Sequence, residues 1–245
     1  MRPFILACPV CDARFVRFRK AHPDRTDRGV CPRCGSRQRH RLLWLYLDAH
    51  TSLSEEQGRV LHFAPEPGLA ARLLETLKGE YLTADIVPGR ADLCLDLERL
   101  ELASESVAVV LCMHVLEHVA DDRAALRELH RVLAPGGWGV IQVPIFGDRT
   151  DEDPAVIDPE QREVRFGQRD HVRVYGRDFE ARLREAGFDV EIVLFREELP
   201  ARQRARLGLN YDLDAELGEG FNETPEPWEI WRVHKPRHPP ASTTS

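Results

Sequence analysis

No apolar run approaches the roughly 18 to 20 residues that a membrane-spanning helix needs, which excludes a helical membrane protein. The opening "MRPFILACPVCDARF" has only a short apolar patch with cysteines inside it, unlike a secretory leader. The 6 cysteines are too grouped for a disulfide scaffold. A cytoplasmic protein without a membrane partner is therefore expected. Glycine is scarce where a nucleotide-binding loop would want it. The stretch "LHFAPEPGL" at 61–69 separates a strand-like run from a helix-like one and keeps Gly68 alone. Pro65 and Pro67 have no N–H to donate, which counts against a pyrophosphate cradle and a dinucleotide dehydrogenase. No internal repeat is visible.

What is present suits a soluble chain with a sizeable core: 42% of its 245 residues are hydrophobic and 31% charged. Its charge is uneven. Residues 1–50 hold 11 Lys/Arg against 4 Asp/Glu, and the rest holds 23 against 37. A basic head on an acidic body calls for an anionic partner or for a head that docks on its own body.

The head contains Cys8-x2-Cys11 and Cys31-x2-Cys34, with 19 residues between the pairs. That spacing matches a four-cysteine zinc ribbon, with a redox pair or iron–sulfur cluster as alternatives. Four thiolates leave no open coordination position, so the zinc would be structural. A ribbon of this size has little core, and the metal would supply much of its stability. Arg14, Arg17, Arg19, Lys20, Arg25 and Arg28 surround Phe15 and Phe18. Two readings follow: contacts to RNA phosphates and bases, or a small core with a solvated face. The run "SRQRHRLLWLYLDAH" reads as a helix capped by Ser36, with Leu42, Leu45, Tyr46 and Ala49 on one face. Arg39, His40 and Arg41 at its start are candidates to reach a cofactor carboxylate or to face solvent.

From Arg59 onward strands and helices alternate. "RVLHFA", "YLTAD", "ADLCLDL", "VAVVLCM", "WGVIQVP", "FDVEIVLF" and "EPWEIWRVHKP" read as strands. "GLAARLLETLKG", "DDRAALRELHRVLAPGG" and "GRDFEARLREAGF" read as helices, with Leu69, Leu73 and Leu77, then Ala125, Leu129 and Val132, facing inward. The second helix is expected to stop at Pro135-Gly136. Such alternation implies a doubly wound, mostly parallel α/β sheet. Ligands of these sheets bind beyond the carboxyl ends of the strands, which singles out Ala64 to Gly68, Asp85, Asp96, Met113 to His118, and Pro144 onward. Asp85 stands 17 residues after Gly68, where a carboxylate can accept from two ribose hydroxyls.

These residues resemble a class I S-adenosylmethionine-dependent methyltransferase of the type 11 group. The resemblance covers about Arg59 to Phe195 and is sharpest over "VVLCMHVLEHVADDRAALRELHRVLAPGGWGVIQVP". With its cysteine pairs, "RHR" helix, "LH-x-APE" loop and "DHVRVYG" segment, the chain is similar to a bacterial group that joins a zinc ribbon to this domain. The resemblance implies a seven-stranded sheet with its last strand antiparallel. It also implies that Asp85 grips the ribose, that Asp96 and the Leu97 backbone meet the adenine, and that Met113 passes the methionine part of the cofactor. Ala64, Glu66 and Gly68 stand at positions where the family has glycines. S-adenosylmethionine has no phosphate and is cationic near its sulfur, so Glu66 is electrostatically compatible with it.

Two clusters are candidates for the acceptor side. His114, Glu117 and His118 resemble a turn of ubiquinone-type O-methyltransferases that holds a divalent ion; they serve otherwise to organise the turn. An insertion at about 145–175 corresponds to an acceptor lid in this fold, by analogy. Within it, His171, Arg173 and Tyr175 share one face if extended, with Val172 and Val174 inward. This supplies a base, an anion-binding guanidinium and a phenol, or else an ordinary polar edge strand. Catalysis is assigned to His171, Arg173, Tyr175 and His118, with Arg169 and Arg173 suiting an acidic or sugar-like acceptor. The expected organisation is a zinc ribbon at 1–38, a methyltransferase domain at 39–235 and a disordered tail at 236–245. The expected function is methylation of a small polar metabolite or saccharide. An RNA methyltransferase, and a non-catalytic zinc-containing adaptor with a closed cofactor pocket, are the alternatives.

Overall fold

The computed structural model describes residues 5–20, 29–209 and 229–237. In chain order its strands are β1 (Leu6–Ala7), β2 (Arg14–Phe15), β3 (Val60–Phe63), β4 (Tyr81–Asp85), β5 (Leu93–Cys94), β6 (Val107–Met113), β7 (Leu133–Gln142), β8 (Asp151–Glu152), β9 (Arg173–Val174), β10 (Asp189–Val193) and β11 (Ile230–His234). Its α-helices are α1 (Gln38–His50), α2 (Pro67–Thr76), α3 (Asp122–Val132), α4 (Pro159–Phe166), α5 (Phe179–Glu185), α6 (Phe195–Glu198) and α7 (Ala201–Leu207). None of the described helices is long and apolar enough to cross a membrane. The chain forms two compact units, one of Met1–Glu56, Pro65–Lys78 and Leu194–Ile230, the other of Gln57–Ala64, Gly79–Val193 and Trp231–Ser245. The tail beyond 237 and the ribbon residues Arg25 and Arg28 lie outside the described residues.

The first unit is built on the cysteine pairs. β1 and β2 pair antiparallel around the first knuckle. α1 begins after Arg37 and not at Ser36, whose hydroxyl lies 3.1 Å from the Cys8 sulfur and is engaged there. Its packed surface also differs from the expected stripe: Leu42 and Tyr46 are buried, as are Leu43, Trp44 and Leu47, whereas Ala49 is exposed. The helix is covered over more than one face, so a single amphipathic stripe does not describe it. Arg41 explains part of this. It is fully buried and donates to the carbonyls of Gly29, Ser36, Leu207 and Gly208, tying ribbon, helix and the end of α7 together. Its guanidinium also stacks on Phe18, 4.4 Å from the ring centre. Arg41 is thus a clamp on backbone oxygens rather than a cofactor ligand, and Phe18 is core rather than a base-stacking platform.

The second unit contains a seven-stranded sheet in the order β10-β11-β7-β6-β3-β4-β5. Strands β3 to β7 run parallel to their neighbours, and β11 runs antiparallel to β7. Among the residues of β6, only Ala108 is not fully buried, as the continuous apolar run requires of a central parallel strand. Ala125, Leu129 and Val132 of α3 pack into the same core, together with Leu61, Ile141 and Trp231. α3 ends earlier than Pro135-Gly136. Leu133 is already extended and pairs with Val107, so β7 takes over through the Pro-Gly pair. Burial of Leu133 against the sheet outweighs one more helical turn.

Candidate functional site

The carboxyl edge of the parallel sheet carries a feature that the sequence conceals. Ala64 directly follows β3 and His114 directly follows β6, and both adopt positive φ, 46° and 55°. A non-glycine residue held there costs about 1–2 kcal/mol, and such strain concentrates at functional sites. The two strands are neighbours, with Phe63 opposite Cys112. Next along, β4 ends in Asp85, which is half-buried and accepts a 2.8 Å bond from the Val87 amide through Oδ1. Asp96 is exposed, and its Oδ1 accepts from the Glu98 amide at 2.9 Å. The Leu97 side chain is core, leaving only its backbone for a ligand, and Met113 is buried at the end of β6.

In the first unit, Glu66 is the residue before α2, and its carboxylate lies 3.2 Å from Nε2 of His40. Pro67 starts the helix, as its fixed φ allows. Gly68 is required by close approach: a Cβ there would lie 2.5 Å from the Cys34 carbonyl oxygen. The loop glycine therefore rests directly on the second cysteine knuckle.

The four cysteines converge as their spacing suggests. One sulfur each from Cys8, Cys11, Cys31 and Cys34 all lie within 4.8 Å of one another, and the Cys8–Cys34 and Cys11–Cys31 sulfurs are 3.7 Å apart. Bonds of about 2.3 Å to a tetrahedral zinc place sulfurs roughly 3.8 Å apart, so the donor set fits that ion. The hydrogen bond from Cys8 holds the Cys34 thiol down at about 4 while Cys8 itself is pushed up. The Ser36 hydroxyl sits 3.3 Å from Cys34 and braces both sulfurs.

The segment after β7 departs from expectation in its direction. His171, Arg173 and Tyr175 do share a face, but that face points inward, and Val172 and Val174 are only half-buried. The reason is a buried charge network absent from any local pattern. Arg173 donates to the carbonyls of Leu116, Val119 and Ala120 and to Glu152. Tyr175 donates to Asp122 at 2.8 Å, and Arg182 bridges Asp122 and Glu152. Burial and the nearby Asp122 charge push the Tyr175 phenol up, away from any easily ionised state. Asp122, Glu152 and Arg182 were not singled out in the sequence, because each lies far along the chain from the residues it holds. Arg169 is exposed and pairs with Glu163 at 3.2 Å.

Glu152 supplies a pH-dependent test of this network. Hydrogen bonds from Arg182 first, then Arg173, overcome burial and hold its carboxyl down at about 2. Its folded pKa lies below the unfolded value of about 4.3, so ionised Glu152 stabilises the fold above that range. The contribution is lost as pH falls through about 4 toward about 2. Thermal melts of Glu152→Gln should show a lower Tm at neutral pH and a shallower decline in acid than the parent. Parallel acid limbs would contradict the assignment.

The structure also changes the second cluster. Glu117 and His118 lie together with His171, one ligand atom from each falling within 4.8 Å of the others, whereas His114 is not in that group. His114 instead sets its Nδ1 3.3 Å from Glu117 Oε1. Burial would raise the Glu117 carboxyl, but the His114 hydrogen bond and the His114 and His118 charges hold it below its ordinary range. His171 is lowered, chiefly by burial. His114, three residues before Glu117 on the same turn, was the natural sequence choice; His171 is 53 residues beyond His118 and its proximity is a product of the fold.

Residues 52–141 match the type 11 methyltransferase family model, described as a methyltransferase domain. No curated protein matches the chain. Among solved structures, an S-adenosylmethionine-dependent methyltransferase from Mesorhizobium loti is similar at 16% identity, covering 79% of this chain and 98% of that one with a TM-score of 0.52. Phosphoethanolamine N-methyltransferase 2 of Haemonchus contortus, in complex with S-adenosyl-L-methionine, matches at 16% identity over 80% of this chain and 52% of that one, TM-score 0.52. A chain of the complex between the Haloferax volcanii Trm112 methyltransferase activator and a methyltransferase matches at 19% identity, covering 82% and 91%, TM-score 0.50. At such identities the likeness establishes the fold alone. Residues 52–141 thus match a methyltransferase domain, and the chain carries the class I fold seen in S-adenosylmethionine-dependent enzymes.

Proposed function

We propose that the chain methylates a small, polar, hydroxyl- or amine-bearing acceptor of metabolite or saccharide type. The observation that carries this reading is the way the segment after β7 folds back on the turn after β6. The Val172 amide donates to the Glu117 carbonyl at 2.9 Å, and Arg173 fastens three further carbonyls of that turn. A segment pinned to the turn after β6 suits a small acceptor better than a long polymer. Because the Arg173 N–H groups are used internally, a polar neutral acceptor is favoured over a strongly acidic one.

When bound, S-adenosylmethionine supplies a methyl group on a positively charged sulfur. In this reading Asp85 accepts from the ribose hydroxyls through the oxygen that does not cap Val87, while Asp96 and the Leu97 backbone meet the adenine. Ala64, Glu66 and Gly68 form the loop after β3, and Met113 flanks the methionine part. Glu66 is tied to His40 and shapes its loop as much as it contributes charge. His171 and His118 are the catalytic pair on the acceptor side, and Arg173 and Tyr175 position the segment rather than touch the acceptor. Most of the rate enhancement comes from placement in a dry site. The cysteine set binds a structural zinc, supported by the sulfur spacing.

The test is release of S-adenosylhomocysteine on addition of a nuclease-treated small-metabolite fraction, compared with purified RNA. Turnover is expected with the metabolite fraction. Turnover with RNA alone would overturn the acceptor class, and S-adenosylmethionine binding without turnover on either would favour the adaptor reading.

A further inference from the structure

We propose that Glu117, His118 and His171 form a second, non-cysteine site for a divalent transition-metal ion, independent of the zinc ribbon. The site is built from two separate stretches of chain. Glu117 and His118 lie in a short 3-10 turn, Leu116–His118, after β6, and His171 lies just ahead of β9. Their ligand atoms fall within 4.8 Å of one another.

Three features show that these groups are prepared for a cation rather than merely adjacent. First, His171 is buried and its Nδ1 lies 3.0 Å from the Phe166 carbonyl oxygen. A carbonyl can only accept, so Nδ1 carries the proton and Nε2 presents its lone pair. Second, His118 sets Nδ1 3.2 Å from the Asp170 carboxylate, which leaves Nε2 as its ligand nitrogen too. A carboxylate or carbonyl behind each imidazole is the support that metal-bound histidines ordinarily have. Third, Glu117 is 2% exposed, and its Oε2 meets no hydrogen-bond donor. A buried carboxylate oxygen without a donor is costly, and a cation removes that cost. His114, 3.3 Å from the other oxygen, orients the carboxylate.

The two imidazoles meet edge to face with ring centres 4.7 Å apart, so their nitrogens are held at one locus. Ligand bonds near 2.1 Å require somewhat closer approach than the present spacing. His118, with 35% of its side chain exposed, is the member able to swing inward. Two neutral nitrogens and one carboxylate suit zinc, manganese, iron or cobalt(II) over magnesium or calcium. Three protein ligands leave at least one position open, where an acceptor oxygen can sit. That last role rests on the methyl-transfer reading; the metal site does not.

The experiment is metal titration of the whole chain with zinc and cobalt(II), read by bound-metal analysis and calorimetry. The wild-type chain is expected to take up a second equivalent beyond the one held by the cysteines. His118→Ala, at an exposed position, should lose the second equivalent or bind it at least about 100-fold more weakly, while keeping the first and its Tm. Asp170→Ala should weaken it by about 10-fold through the imidazole it supports. A wild-type chain that takes up only the cysteine-held metal would overturn the proposal, as would a His118→Ala chain with an undiminished second equivalent. Neither readout depends on turnover, so a missing acceptor leaves the test intact.

Discussion

Asp85→Ala is expected to raise the Kd for S-adenosylmethionine by roughly 30- to 150-fold, equivalent to about 2–3 kcal/mol for hydrogen bonds to a charged group. The position follows from the sheet. Asp85 ends β4, which pairs with β3 on one side and β5 on the other, so its backbone is fixed from both edges. Its Oδ1 is occupied by the Val87 amide, a second role that a simple deletion would also remove. Asp85→Asn separates the two. The amide oxygen of asparagine still caps Val87, but the negative charge and the second acceptor are gone. Affinity should therefore remain low in Asp85→Asn. Recovery to the parental Kd would show that the turn, and not the ribose contact, explains the loss. Unchanged affinity in both variants would remove Asp85 from the cofactor site.

Removal of the zinc proposed for the cysteine set is the second large effect expected. Structural zinc in small domains contributes about 10–16 kcal/mol of apparent binding free energy, comparable to or larger than the roughly 5–15 kcal/mol that holds a domain folded. The consequence reaches beyond the ribbon. Gly68 packs on the Cys34 carbonyl, and Glu66 is held by His40, the third residue of α1. Chelation, or Cys31→Ser, should lower the Tm sharply and also weaken S-adenosylmethionine binding, because the loop after β3 loses its support. A metal-free chain with the parental Tm and the parental cofactor affinity would contradict both the structural role and the coupling.

The sheet was largely legible because its signals are local. A run such as "VAVVLCM" suits the buried centre of a parallel sheet, and Ala125, Leu129 and Val132 recur at helical spacing. The cysteine pairs were legible for the same reason, since spacing alone brings two sulfurs to one point. What escaped was non-local. Alternation put His171, Arg173 and Tyr175 on one face, but the side that faces inward depends on Asp122, Glu152 and Arg182, whose charges make a polar interior tolerable. Polar residues were therefore assigned to the outside when they belong within. The grouping of His171 with Glu117 escaped likewise, as did the strain at Ala64, where alanine gives no sign of a positive φ. Gly68 stands out in the sequence as the one glycine of its stretch, and its close approach to the Cys34 carbonyl supplies a physical reason for it.

Within the first unit, Glu66 and Gly68 are thus held by His40 and the second cysteine knuckle. The account is tested most directly by calorimetric titration of the metal-replete chain with S-adenosylmethionine, followed by displacement with S-adenosylhomocysteine. The account predicts one saturable site per chain and full competition between the two ligands. Absence of saturable binding to a folded, metal-replete chain would contradict it.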